Sequence, residues 1–114
     1  MSKARIEIQP VMDALEVIGG KWKFPILYSL CSGKKRFKDL LEDIGKITPK
    51  MLSTELKNLE INGLITRTAI PTVPVTVEYE MTEYGATLEP MLRHVQDWGK
   101  KHREKVIRGI SESR

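Results

Sequence analysis

Apolar residues recur along this chain in two rhythms, one helical and one alternating. Val11, Leu15 and Ile18 share one side of a short helix that starts near Pro10 and breaks at Gly19-Gly20. Lys21 to Leu30 reads as a second helix carrying Trp22, Ile26, Leu27 and Leu30; Pro25 then has to lie in its first turn. Ser32-Gly33 ends it, and Lys34-Lys35-Arg36 reads as a short extended piece. Phe37, Leu40, Leu41 and Ile44 predict a third helix, closed by Gly45. Thr48-Pro49 predicts a helix start, because threonine caps free N–H groups and proline at the first position loses no hydrogen bond. Leu52, Leu56 and Leu59 give that fourth helix one apolar stripe, and Gly63 stops it. The rhythm then changes. Leu64 to Thr68 is β-branched and partly alternating, Pro71 to Val75 is a loop, and Thr76 to Met81 alternates cleanly. Thr82 to about Gly109 reads as one long helix with Leu88, Met91, Leu92, Val95 and Trp98 on one face, leaving Ile110 to Arg114 as a frayed tail.

Four helices, a hairpin and a last helix describe a mainly α fold with a small β-hairpin. A tight turn at Gly45 between the third and fourth helices, followed by the hairpin, matches a winged helix-turn-helix. The second helix of such a unit lies in the major groove of DNA. The side of the Thr48 to Asn62 helix opposite its leucines carries Lys50, Ser53, Thr54 and Lys57. Short hydroxyls allow close approach to base edges, and lysines neutralise phosphates. Thr48, at the start of the helix, joins that set.

Composition sharpens this picture only modestly. The chain has 114 residues, the length of one domain spanning 1–114, with 40% hydrophobic and 30% charged residues. Nineteen Lys plus Arg against fifteen Asp plus Glu gives +4, a weakly basic balance that fits nucleic acid without establishing it. The single cysteine, Cys31, excludes an internal disulfide and favours a reducing cytoplasm. The N-terminal MSKARIEIQPV lacks the apolar run of a signal peptide, and no apolar stretch reaches the roughly eighteen residues of a membrane span.

Several longer segments together resemble the HxlR-type bacterial winged-helix regulators. They are VIGGKWKFPILYSL, KRFKDLLEDIGKITPKMLSTELKNLEINGLITR, VPVTVEYEMTEYG and WGKKH, in that order over nearly the whole chain. The resemblance implies a homodimeric, sequence-specific DNA-binding transcription factor with dimer contacts on its terminal helices. The winged-helix core would be about 21–82, flanked by dimerisation helices at 10–20 and 83–110. Leu88, Leu92, Val95 and Trp98 would then pack against a second copy and against Val11, Met12 and Leu15. Two departures from the family pattern stand out. Many relatives read Cys-Pro-Val near the N-terminus, and in some that cysteine senses oxidants; here the match is Gln9-Pro10-Val11. The family's wing often carries Pro-Pro-Arg or Pro-Pro-Lys, where this chain has Pro74-Val75-Thr76. Any wing contact would fall to the main chain, Thr72 or Thr76.

Each candidate has a plainer reading beside it. Arg36 either touches phosphate or ties the hairpin to the core. Cys31 is either a small buried thiol or an exposed sensor, the latter needing a lowered pKa. Lys100, Lys101, Arg103, Lys105 and Arg108 either touch DNA or solubilise the last helix. His94 and His102 have no third ligand in sight, so no metal or other cofactor is expected. No residue order supports an enzyme. The expected partners are double-stranded DNA and a second copy, with no membrane; an unidentified small-molecule effector stays open. The rival is a winged-helix protein-interaction module without DNA binding, whose recognition helix would show an apolar or acidic face.

Overall fold

The computed structural model describes residues 6–112. Its elements run α1 (Ile8–Ile18), α2 (Lys23–Leu30), β1 (Lys35–Arg36), α3 (Phe37–Ile44), α4 (Pro49–Ile61), β2 (Ile65–Ile70), β3 (Thr76–Met81), α5 (Glu83–Ala86) and α6 (Glu89–Glu112). The strands form one antiparallel sheet in the order β1-β3-β2. The extended piece at Lys35-Arg36 therefore turns the expected two-stranded hairpin into a three-stranded sheet, with Lys35 opposite Tyr79 and Arg36 opposite Glu78.

The core is the predicted set of stripes brought together. Ile26, Leu27 and Leu30 of α2, Leu40 of α3, and Leu52, Leu56 and Leu59 of α4 are all buried. Ile47, Leu64, Ile65, Tyr79, Ile18 and Leu92 close the cluster. Two glycines make the turns possible. Gly45 (φ 86°) reverses the chain between α3 and α4, and Gly63 (φ 76°) ends α4, both in the left-handed region that side chains avoid. At α4's end the Gly63 N–H donates to the Glu60 carbonyl (2.9 Å) and the Leu64 N–H to the Leu59 carbonyl (3.0 Å). This pairing satisfies the last carbonyls of the helix and buries Leu64 beside Leu59.

A small junction locks the exit of α4 to the exit of the sheet. The Thr82 N–H donates to the Leu64 carbonyl (3.0 Å), and its hydroxyl donates to the Gly63 carbonyl (2.7 Å). The same hydroxyl accepts from the Gly85 N–H (2.9 Å), capping α5. Gly85 is buried against that seam. A Cβ there would lie 2.1 Å from the Leu64 carbonyl oxygen and 2.8 Å from Met81 Cγ.

Four expectations are corrected. The first helix begins at Ile8, so Pro10 sits within its first turn, where a missing N–H costs nothing. The long helix from Thr82 is two helices. Pro90 cannot donate to the Ala86 carbonyl, so α5 ends, and the chain restarts as α6 with Leu92 N–H on the Leu88 carbonyl (2.9 Å). The expected frayed tail stays helical to Glu112; Ser113 and Arg114 lie outside the described residues. Leu92, assigned to a dimer face, is 2% exposed and belongs to the protomer's own core, because the break rotates the first turn of α6 onto α2.

The seam yields a direct test. Gly85→Ala must push Leu64 and Met81 apart, and overpacking of this kind costs about 1–3 kcal/mol. A lower urea midpoint with an unchanged slope is the expected result.

Candidate nucleic-acid interface

The open face of α4 follows from how the helix is pinned. Its start is fixed by Thr48, whose side-chain oxygen accepts from the Met51 N–H (3.1 Å). Its leucine stripe faces inward. Lys50, Ser53, Thr54 and Lys57 are all exposed. Thr54 donates its hydroxyl proton to the Lys50 carbonyl (3.1 Å), leaving the oxygen's lone pairs as acceptors. The carboxylate between the two lysines in sequence, Glu55, turns away from that face. It meets Lys23 of α2 at 2.7 Å, with side chains only 13% and 18% exposed for Lys23 and Glu55. The ion pair holds the Glu55 charge against Lys23 and joins α4 to α2. That partner was not read from the sequence, because residues 32 positions apart leave no local signal.

The wing differs from the open face. Thr72 bonds the Pro74 carbonyl (2.7 Å) and the Thr76 hydroxyl (2.9 Å), so both threonines close the tip on itself. Val73 stands fully out at that tip, and Val75 is exposed beside it. Arg67, on β2 opposite Tyr79, is exposed and was missed as a candidate; a lone arginine among strand residues gives little warning. Arg36 does tie the sheet to α3: its N–H donates to Asp39 (3.0 Å) and its Nε lies 3.6 Å from the same carboxylate. Half of its side chain remains exposed.

Behind α3, Asp43 accepts from the Ser29 hydroxyl (2.6 Å) and pairs with Lys35. These bonds, Lys35 first and Ser29 next, hold its carboxyl below the ordinary range. The Cys31 thiol is half-buried, and burial pushes its pKa up, with Glu89 adding to the rise and Arg93 opposing it. The thiolate is therefore disfavoured, which supports the inert reading over the sensor. No cluster of metal-binding side chains occurs among the described residues, and no helix there is long and apolar enough to cross a membrane.

Two apolar faces stay uncovered. On α1, Ile8, Val11, Met12 and Leu15 are exposed, and only Ile18 is fully buried. On α6, Met91, Val95, Trp98, Val106, Ile107 and Ile110 are exposed, with Trp98 stacked on His102 (5.0 Å between centroids). Leu88 is half-buried against the core. Val11, Met12, Leu15, Val95 and Trp98 are thus open in the protomer, whereas Leu92 is not.

A family model described as HxlR-like helix-turn-helix matches residues 17–107. The chain belongs to this HxlR-like family. The HTH-type transcriptional regulator YdeP of Bacillus subtilis is 46% identical over 97 residues, covering 85% of this chain and 76% of YdeP. The crystal structure of the HTH-type regulator ytcD aligns with a TM-score of 0.78 at 47% identity, over 82% of this chain and 96% of that one. The redox regulator HypR in its reduced form aligns at 0.79 and 41%, over 85% and 96%. This HxlR-like protein is a DNA-binding transcriptional regulator built on a winged helix. Within it the Gln9 amide donates to Asp13 one turn on (2.8 Å).

The Asp43 bonds carry a pH signature. A carboxyl whose folded pKa is depressed adds stability above its unfolded value of about 3.9, lost as pH falls through the lower folded value. Asp43→Asn is expected to flatten the acid limb of a stability–pH curve below about pH 4, with the wild type steeper, in urea titrations across that range.

Proposed function

We propose that the protein acts as a homodimer on an inverted-repeat operator, each copy placing α4 in a major groove. The observation that carries this reading is the exposed α4 face with two lysines and its nearest carboxylate turned onto Lys23. Lys50, Ser53 and Thr54 lie in the N-terminal half of the helix, where groove-bound helices meet base edges, and are assigned base reading. Lys57 is assigned phosphate contact. Thr48 acts chiefly by positioning, since its oxygen is engaged as the cap. Thr72 and Thr76 hold the shape of the wing tip, and its DNA contact falls to the main chain. Arg36 and Arg67 are free enough to reach backbone phosphates beside the helix.

Dimerisation is supported by the apolar faces of α1 and α6, where Val11, Met12, Leu15, Val95 and Trp98 are exposed in the protomer. Val11, Met12, Leu15, Val95 and Trp98 would line the contact, with Leu88 at its edge. Two-fold symmetry then dictates two half-sites of opposite orientation. Such a regulator would work in the cytoplasm, without enzymatic activity, and would take an effector that alters operator binding. Lacking a cysteine at Gln9, it would not use an N-terminal thiol switch. A protein-interaction module is disfavoured because the α4 face is neither apolar nor acidic.

Selection of bound sites from a random DNA pool tests the reading, and failure to enrich an inverted repeat overturns it. On the selected operator, Lys57→Ala should weaken all sequences alike and lower the salt slope by about one per protomer. Lys50→Ala should instead cost about 1–3 kcal/mol per half-site and relax preference at one base pair. Separately, Val95→Glu places a charge in the proposed contact and is expected to shift sedimentation from dimer to monomer at micromolar concentration. A folded wild type that sediments as monomer at that concentration would remove the dimer.

A further inference from the structure

A cavity of about 650 Å³ opens between α2, the turn before α4, and the first turns of α6. Its size is that of a small-molecule site. One wall is aromatic, made by Trp22 and Tyr28. The rim is cationic: Lys21, Lys46 and Arg93 meet there, together with the Lys35–Asp43 pair. Asp43 is the one carboxylate lining it and is already bonded to Lys35 and Ser29. Arg93 is balanced by Glu89 (3.0 Å), and Lys21 sits 4.8 Å over the Trp22 ring. Lys21 and Lys46 join no ion pair among the described residues.

We propose that this cavity binds a planar aromatic carboxylate, ring against Trp22 and Tyr28 and charge toward Lys46 and Lys21, and that its binding tunes DNA affinity. The proposal names the site and ligand class of the effector, and so rests on the DNA-binding reading above. Flat aromatic walls favour a ring over an aliphatic chain. Unbalanced cations beside a partly dry surface favour an anion over a neutral or cationic ligand. A phosphate ligand fits less well, because the cations are dispersed around the rim and no glycine-rich loop lines it. Coupling follows from position. Lys46 lies in the four-residue link (45–48) that sets the start of α4, and Arg93 lies on α6. A ligand held between these walls is sensitive to the spacing of α4 from α6, so any preference for one spacing must appear as a change in operator affinity.

The test uses the full chain without DNA, titrated calorimetrically with 2-naphthoate and with its neutral counterpart 2-naphthamide. The expected result is one naphthoate per protomer, with the amide about tenfold weaker. Lys46→Gln should weaken naphthoate by about the same factor, and Trp22→Leu should weaken both compounds, with circular dichroism confirming that each variant is folded. Equal binding of acid and amide, an unaffected Lys46→Gln, or no heat with either compound at about 1 mM overturns the site. Operator affinity is then measured with and without saturating naphthoate. A shift supports the coupling, and an unchanged affinity with naphthoate bound overturns it. Naphthoate binding by a chain that enriches no DNA sequence overturns the DNA-binding reading and leaves the ligand site standing.

Discussion

Thr82 holds the point where three parts of the molecule meet. Its N–H and hydroxyl grip the chain leaving α4, and the same hydroxyl caps α5. The seam is tight enough that only glycine fits at position 85. The Leu64 carbonyl is thus both the exit of α4 and the floor under α5, so the end of α4 and the start of α5 are held together at that point. The sheet inherits its register from this point, with Ile65 opposite Met81 one residue beyond the grip. The run from Val77 through Tyr79 and Thr82 to Gly85, which resembled a family signature in sequence, is thus a mechanical clasp. Within it Thr82 answers a hydrogen-bonding need and Gly85 a steric one.

Charge is organised around a second long-range contact. A 13-residue helix with Lys50, Lys57, Glu55 and Glu60 has no striking net charge of its own. Folding sorts it. Glu55 pairs with Lys23 in a mostly buried position, and both lysines remain in solvent. The pair replaces two solvated charges with one short contact, and its value for recognition lies in what it leaves behind. Lys50 and Lys57 keep their charges in solvent while that of Glu55 is matched by Lys23.

Much of the fold was legible in local spacing. The Leu52/Leu56/Leu59 stripe, the Thr48-Pro49 start, the Gly63 stop and the Thr76–Met81 strand are each encoded within a few residues. Failures came where a distant or opposing signal decided. Periodicity runs straight through Pro90 and so hides the helix break, and with it the turn of Leu92 into the core. The extended piece at Lys35-Arg36 is legible in sequence, but its pairing with β3 is not, because the partner strand lies far along the chain. At the candidate interface, the exposed hydroxyls and lysines of α4 were visible in sequence. The engagement of Thr48, Thr72 and Thr76 in internal hydrogen bonds was not, since a hydroxyl's partner depends on the folded path.

The geometry of α6 has a mechanical consequence. Leu92 is its last buried residue, and every side chain from Arg93 to Ile110 is exposed. At about 1.5 Å per residue the part of the helix beyond Leu92 is, in the protomer taken alone, a rod roughly 30 Å long. A pivot of about 5° at Leu92 sweeps the far end by roughly 2.6 Å. Motion too small to disturb the leucine core therefore arrives at the tip larger than the tolerance of a hydrogen bond. In the protomer alone the helix is a lever that turns about Leu92, and a second copy laid along it would fix the far arm.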